Sequence, residues 1–144
     1  PPPHPTGAIQ VPDWGEVKLS DSIVGGIYTW ADATKNGTRI PTKAIMQRIV
    51  SVAVHVETYT EKVGKGKWRI NSWYRDPVAN SNAGSGPGSR HLAGDAVDVS
   101  FSGMNGLYEE LNNSWPGGVA IKPGVFIHFD TRHEVGKGRA RWNY

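Results

Sequence analysis

Apolar residues at Ile45, Ile49, Val52, Val56, Tyr59 and Val63 recur every three or four positions, and this single stripe predicts one long helix over Pro41–Val63. Pro41 or Thr42 starts it and Gly64 stops it. His55 lies beside the stripe, as a partly buried or surface histidine does. Elsewhere the period is two. Lys67–Ser72 sets Trp68, Ile70 and Ser72 against Lys67, Arg69 and Asn71, the pattern of a half-buried strand. Gly94–Phe101 is a second strand, with Val97 and Val99 on one face and Ala96, Asp98 and Ser100 on the other. Val119–Ile121 and Val125–Asp130 predict a hairpin turned at Pro123–Gly124, in which Phe126, His128 and Asp130 share a face. Arg139–Trp142 predicts a last edge strand.

Shorter signals fill the intervals. Thr29–Thr34 reads as a short helix capped by Thr29, with Asp32 in its first turn and Asn36–Gly37 as its stop. Tyr28 and Trp30 would anchor it to the core. Pro77 keeps Asp76 out of helical geometry, and Pro77–Asn82 predicts a helical turn before the flexible loop Ala83–Gly88. Ser102 is placed to cap a helix from Gly103 to near Asn113, with Met104, Leu107, Tyr108 and Leu111 facing inward. Residues 1–26 open with the proline-rich run Pro1–Pro12 and predict an arm or linker ahead of a domain over 27–144. There is no internal repeat.

Composition narrows the class. A chain of 144 residues with 38% hydrophobic and 20% charged residues suits one domain with a real core. Its 18 glycines and 10 prolines predict many turns, and an α+β architecture in preference to a helical bundle. No apolar run is long enough to span a bilayer. A net charge of +3 is mildly basic. The basic clusters Lys62–Lys67 and Arg132–Arg141 lack the interleaved aromatics of a single-strand platform, so nucleic acid is not the expected partner. A chain that begins with Pro1 is expected to be a mature form or an excised domain.

With no cysteine present, disulfides, thiolate catalysis and cysteine-held zinc are excluded, and any metal must be held by histidine and carboxylate. The segment Ser89–Ser100, SRHLAGDAVDVS, carries His91 and Asp98 seven apart. Strand parity turns Asp98 away from the core, and His128 and Asp130 can look into the same cleft. Three such ligands with an open fourth position form the catalytic arrangement of zinc, in which the metal acidifies a water and polarises a carbonyl. Asp130 and Asp95 are spare carboxylates and Arg75 supplies a cation; Asp95 shares the parity of Val97 but sits where the strand begins and is expected to reach solvent. The bland alternative is a set of polar residues on the solvated face of a sheet.

Ser89-x-His91-x-x-Gly94-x-Ala96-x-Asp98 resembles the SxHxxGxAxD signature of the zinc D-Ala-D-Ala carboxypeptidase and endopeptidase family. Ser72–Pro77, SWYRDP, resembles that family's S-x-Y-R-[ST]-P segment. Ile127–Arg132 followed by Arg141–Trp142 resembles the VHxD…R-x-W ending of one branch. The resemblance implies a small antiparallel sheet carrying the metal, with helices on its back. It implies His91, Asp98 and His128 as zinc ligands, Arg75 as a contact to the carboxylate or carbonyl of the substrate, and Ser89 as a hydrogen-bonding or substrate contact. The implied substrates are stem or cross-link peptides of peptidoglycan, cut by a monomer outside the cytoplasm (periplasm, wall or secreted) or by a phage lysin. One departure stands out: where many members carry the general-base Glu three residues before the last ligand, this chain has Val125. Asp130 is then the candidate for the base, or for a partner that holds a ligand, with His133 as a further candidate. A zinc-containing module that binds the wall without cutting it is the alternative.

Overall fold

A computed structural model describes residues 7–63, 66–100 and 104–144, with Met104 and Asn105 in backbone only. Five strands form the main sheet: β3 (Arg69–Ser72), β4 (Ala96–Ser100), β5 (Gly118–Lys122), β6 (Phe126–Asp130) and β7 (Ala140–Asn143), in the order β3-β4-β6-β5-β7. A second sheet is the hairpin of β1 (Ala8–Val11) and β2 (Gly15–Lys18). The helices are α1 (Trp30–Thr34), α2 (Lys43–Val63), α3 (Pro77–Asn82) and α4 (Met104–Ser114). The fold is α+β, as expected.

Strand parity sorts the main sheet into two faces. Val97 and Val99 of β4, Ile127 and Phe129 of β6 and Val119 of β5 are all fully buried against the helices. The opposite parity carries Asp98 and His128. Helix α2 buries Met46, Ile49, Val52, Ala53, Val56 and Thr60, while Ile45, Tyr59 and Val63 are partly buried. The stripe is thus broader than its apolar residues alone suggest, because Thr60 is also inside. The Thr60 hydroxyl lies 2.8 Å from the Tyr28 hydroxyl, which accepts the Trp68 N–H at 2.8 Å. One phenol therefore joins α2, the start of α1 and the strand leading into β3.

The short elements follow local chemistry. Asp32 returns a carboxylate to the Thr29 N–H at 2.8 Å and starts α1. Asp76 is extended before Pro77 and caps α3 by accepting the Ala79 N–H at 2.8 Å. The predicted stop at Gly64, cap at Ser102 and helix start at Gly103 lie outside the described residues.

Two expectations are revised. Residues 8–23 do not behave as an arm. Ile9 and Val17 are cross-strand partners, and Ile9, Val11, Val17, Leu19 and Ile23 are all buried in the core. The Ala31 and Trp30 N–H groups donate to the Leu19 and Asp21 carbonyls at 3.0 and 3.1 Å, tying this segment to α1. The alternation I-x-V…V-x-L supplies an apolar face that proline-rich surroundings mask. The main sheet is also not wholly antiparallel, since β7 pairs parallel to β5. The chain leaves β6, passes a 3₁₀ turn over Arg132–Val135 and returns along the free edge of β5. Arg141 pins that return by donating to the carbonyls of Leu111, Asn112 and Gly117.

Candidate metal centre

The register of the sheet lines up one row across all five strands. Ser72 pairs with Asp98, Asp98 with His128, His128 with Ala120, and Ala120 with Trp142. Neighbouring partners on one face stand close together, so Asp98 and His128 meet by strand pairing alone. His91 arrives from the 3₁₀ turn Arg90–Ala93 just before β4. All three side chains are buried, and one ligand atom from each lies within 4.8 Å of the others.

The S-x-H-x-x-G-x-A-x-D spacing has a local explanation. The Ser89 hydroxyl caps the 3₁₀ turn by accepting the His91 N–H at 3.3 Å. Gly94 ends the turn at φ 85°, a left-handed conformation that favours glycine, and a Cβ there would stand 2.8 Å from the Ile45 side chain. Ala96, fully buried, pairs with Asp130 in the row next to that of Asp98 and His128.

The outward nitrogens of both histidines are occupied. His91 Nδ1 donates to the Trp73 carbonyl at 2.7 Å. His128 Nε2 lies 2.8 Å from Asp130 Oδ2 and donates to it. These bonds turn His91 Nε2 and His128 Nδ1 toward Asp98 Oδ1, 3.2 and 3.0 Å away, each a lone pair in the neutral ring. Burial pushes His91 down, keeping it neutral against the pull of Asp98. Burial also opposes charge on His128, but hydrogen bonds to Asp130 and Asp98 outweigh it and raise this group. Burial would lift the Asp98 carboxyl, yet the two histidines hold it well below the usual carboxylate range. Two imidazole nitrogens and a carboxylate oxygen converging in a buried space offer three donor atoms that could hold a cation between them. Two histidines and an aspartate, each histidine fixed in one tautomer from behind, form a donor set that suits zinc.

Asp130 sits behind His128. Its carboxylate is fully buried and accepts from His128, from the Gly118 N–H at 3.0 Å and from Arg132 Nε and Nη2, both at 2.9 Å. Burial alone would raise it, but hydrogen bonds from His128 and Arg132 outweigh that effect and hold it well below the usual range. Its lone pairs are thus turned to His128, Gly118 and Arg132. His133 packs edge-on against Trp115, 5.4 Å between ring centres, and is not among the residues lining the cleft.

Arg75 comes from the segment between β3 and α3. It donates to the Ser72 and Ser85 hydroxyls at 3.0 and 3.2 Å and to Asp98 Oδ2 at 3.4 Å. Its neighbour Asp76 is engaged in capping α3, so the two do not pair with each other. Asp95 does not reach solvent. It is fully buried, gripped by Arg90 from its own turn at 2.6 Å and by Arg48 of α2 at 3.0 Å. Its core-side parity is kept because two guanidinium groups meet it there.

A cleft of roughly 470 Å³ opens on His128 and is lined also by Ser85, Ser89, Arg90, Arg132, Trp142 and Tyr144. The glycine-rich loop after α3 therefore borders the site. Trp142 lies 4.9 Å from the His128 ring, and Arg132 stacks on Trp142 at 5.1 Å. Arg48 and Arg90 carry no signal of their own in the sequence, and Arg132 stands in the resembling segment Ile127–Arg132 without an assigned role. The resemblance of Arg141–Trp142 to the family's ending pointed to the last strand, where Trp142 pairs with Ala120 beside His128.

A family model described as peptidase M15 matches residues 25–130, which include Arg75, His91, Asp98, His128 and Asp130 and stop short of Arg132 and Trp142. No curated protein matches the chain.

Proposed function

The chain belongs to the peptidase M15 family, a family of metallopeptidases, and on that premise we propose that it hydrolyses amide bonds in the stem or cross-link peptides of peptidoglycan. The observation that carries this reading is the buried convergence of His91, Asp98 and His128 on one point, with both histidine tautomers fixed from behind. Zinc held by these residues would supply Lewis acidity, acidifying a water and polarising the scissile carbonyl.

The chain's own residues do the positioning. Asp130 holds the His128 ring with its Nδ1 lone pair inward, and Trp73 does the same for Nε2 of His91. Arg75, already aligned by Ser72 and Ser85, offers a fixed cation beside Asp98 for a substrate carboxylate or carbonyl. Ser89 keeps the His91 turn closed and presents its hydroxyl to the cleft. Amide hydrolysis then yields one new carboxylate and one amine. In this reading the protein acts outside the cytoplasm or as a phage lysin, and as a monomer.

One observation favours a second reading. Among the described residues no aspartate or glutamate side chain lines the cleft, and Val125, half-exposed at the β5–β6 turn, offers no base. A zinc-containing wall-binding module without catalysis fits that lining. Incubation of purified peptidoglycan with zinc-loaded protein separates the two. Zinc-dependent release of new amino groups and muropeptides, abolished by a chelator, is the expected result. Sedimentation of the protein with the wall and no product would overturn the peptidase reading in favour of the module.

A further inference from the structure

We infer that Arg132, stacked on Trp142, reads a second carboxylate of the substrate, on the opposite flank of the centre from Arg75; this rests on the peptidase reading above. The row Ser72–Asp98–His128–Ala120–Trp142 gives the centre two ends. Arg75 is bound to Ser72 and Asp98 at one end. Arg132 lies over the Trp142 ring at the other. A peptide crossing the row meets a fixed guanidinium on each side of the scissile amide.

The charge of the cleft supports an anion at that far end. The charged side chains that line it are Arg90 and Arg132, both cationic. Their partners Asp95 and Asp130 are fully buried behind them. Asp130 also serves His128 and the Gly118 N–H, and Asp95 is shared with Arg48, so neither carboxylate is devoted to one arginine. Arg132 gives Nε and Nη2 to Asp130, and its Nη1 makes no hydrogen bond among the described residues. A guanidinium fixed on two sides and resting on an indole loses little freedom on taking a carboxylate. Tyr144, more than half exposed in the same cleft, leaves the approach open.

The test uses two stem peptides identical except that the residue beside the scissile amide, on the side away from the Arg75 contact, carries a carboxylate or a carboxamide. The zinc-loaded full chain is expected to favour the carboxylate peptide by about tenfold in kcat/KM, the scale of one charge-assisted hydrogen bond. Arg132→Gln should bring the ratio close to one, and Trp142→Leu, which leaves Asp130 untouched, should lower it. Equal kcat/KM values for the pair in the unaltered chain overturn the inference, as does a ratio that survives in Arg132→Gln with full zinc content. Should neither peptide be cut, the peptidase reading fails, and calorimetric titration of the same pair still decides the subsite. Tighter binding of the carboxylate peptide, lost in Arg132→Gln, supports it, and equal affinities sink it.

Discussion

Asp98 and His128 face each other as registered partners on adjacent strands, with Asp98 Oδ1 and His128 Nδ1 3.0 Å apart and the His128 proton held on the opposite nitrogen by Asp130. At that distance a neutral imidazole and a carboxylate oxygen repel unless a proton on Nδ1 or a metal cation joins them. The metal is therefore expected to be a strong stabiliser of the fold. Zinc at a thousandfold excess over its dissociation constant should contribute about 4 kcal/mol, raising Tm by roughly 10 °C in a domain of this size. Differential scanning calorimetry of chelator-treated protein with and without zinc measures it. His91→Ala should bind no stoichiometric zinc and show no such rise; full metal content in that variant would remove His91 from the ligand set.

Asp130→Asn discriminates orientation from proton transfer. An amide in place of the carboxylate keeps one acceptor for three kinds of donor and turns an NH₂ group toward one of them. If Asp130 orients His128, zinc affinity should fall about 10- to 100-fold, the range for losing a partner behind a ligand. A chelator competition titration reads this directly. Undiminished affinity with lost turnover would instead return Asp130 to the role of base.

The N-terminal hairpin gives a stability prediction. Leu19 is 5% exposed, and its methyl groups reach the site where Gly37, at φ 79°, has no Cβ. Leu19→Ala should cost about 2–3 kcal/mol of unfolding free energy in denaturant melts. A cost below about 0.5 kcal/mol, the size of an ordinary surface substitution, would mean that residues 8–23 are an arm after all.

What the sequence made legible was whatever depends on local period. The 4-3-4-3-4 spacing of Ile45, Ile49, Val52, Val56, Tyr59 and Val63 matches the buried side of α2, and strand parity turned Asp98, His128 and Asp130 to one face, where they lie. Contacts between distant segments were not legible. Arg48 reaches Asp95 across 47 positions, and nothing about an arginine beside Gln47 marks it as a partner. The parallel pairing of β7 depends on the direction in which the chain returns from β6, which the residues of β7 do not encode. The hairpin differs, because Ile9, Val11, Val17 and Leu19 do alternate, but strands of four residues beside a proline-rich run carry too short a period to stand out from an arm.

Asp95 should be a costly residue to lose. It pairs with Arg48 and Arg90, whose side chains are 21% and 13% exposed, and Arg48 also pairs with Glu134 at 3.1 Å. Asp95→Ala leaves Arg90 without its carboxylate in a largely dry site, opposite an Arg48 held by Glu134 alone, a change on the order of 3 kcal/mol. Asp95→Ala combined with Arg48→Met should recover part of that loss in denaturant melts, because the remaining Arg90 then has no like charge opposite it. No recovery would show that the cost comes from packing alone.

Gly118→Ala tests the seat of Asp130 from the other side. Gly118 pairs with Asp130 across β5 and β6 and donates its N–H to Oδ1 at 3.0 Å. A Cβ at this position would stand 2.3 Å from Asp130 Oδ2 and 2.8 Å from Arg132 Nε. Its φ is not in the left-handed region, so an alanine backbone fits and the collision falls on the carboxylate. The Asp130 side chain must then move off His128. Zinc affinity should drop at least tenfold by chelator competition, with the circular dichroism of the fold retained. Gly106→Ala is the control, since a Cβ there meets nothing within 4 Å and the position is an exposed helical one. It should leave zinc affinity unchanged and add about 0.5–1 kcal/mol of stability. If Gly118→Ala also leaves affinity unchanged, the Asp130–His128 bond does not govern the metal, and the orientation role assigned to Asp130 is wrong.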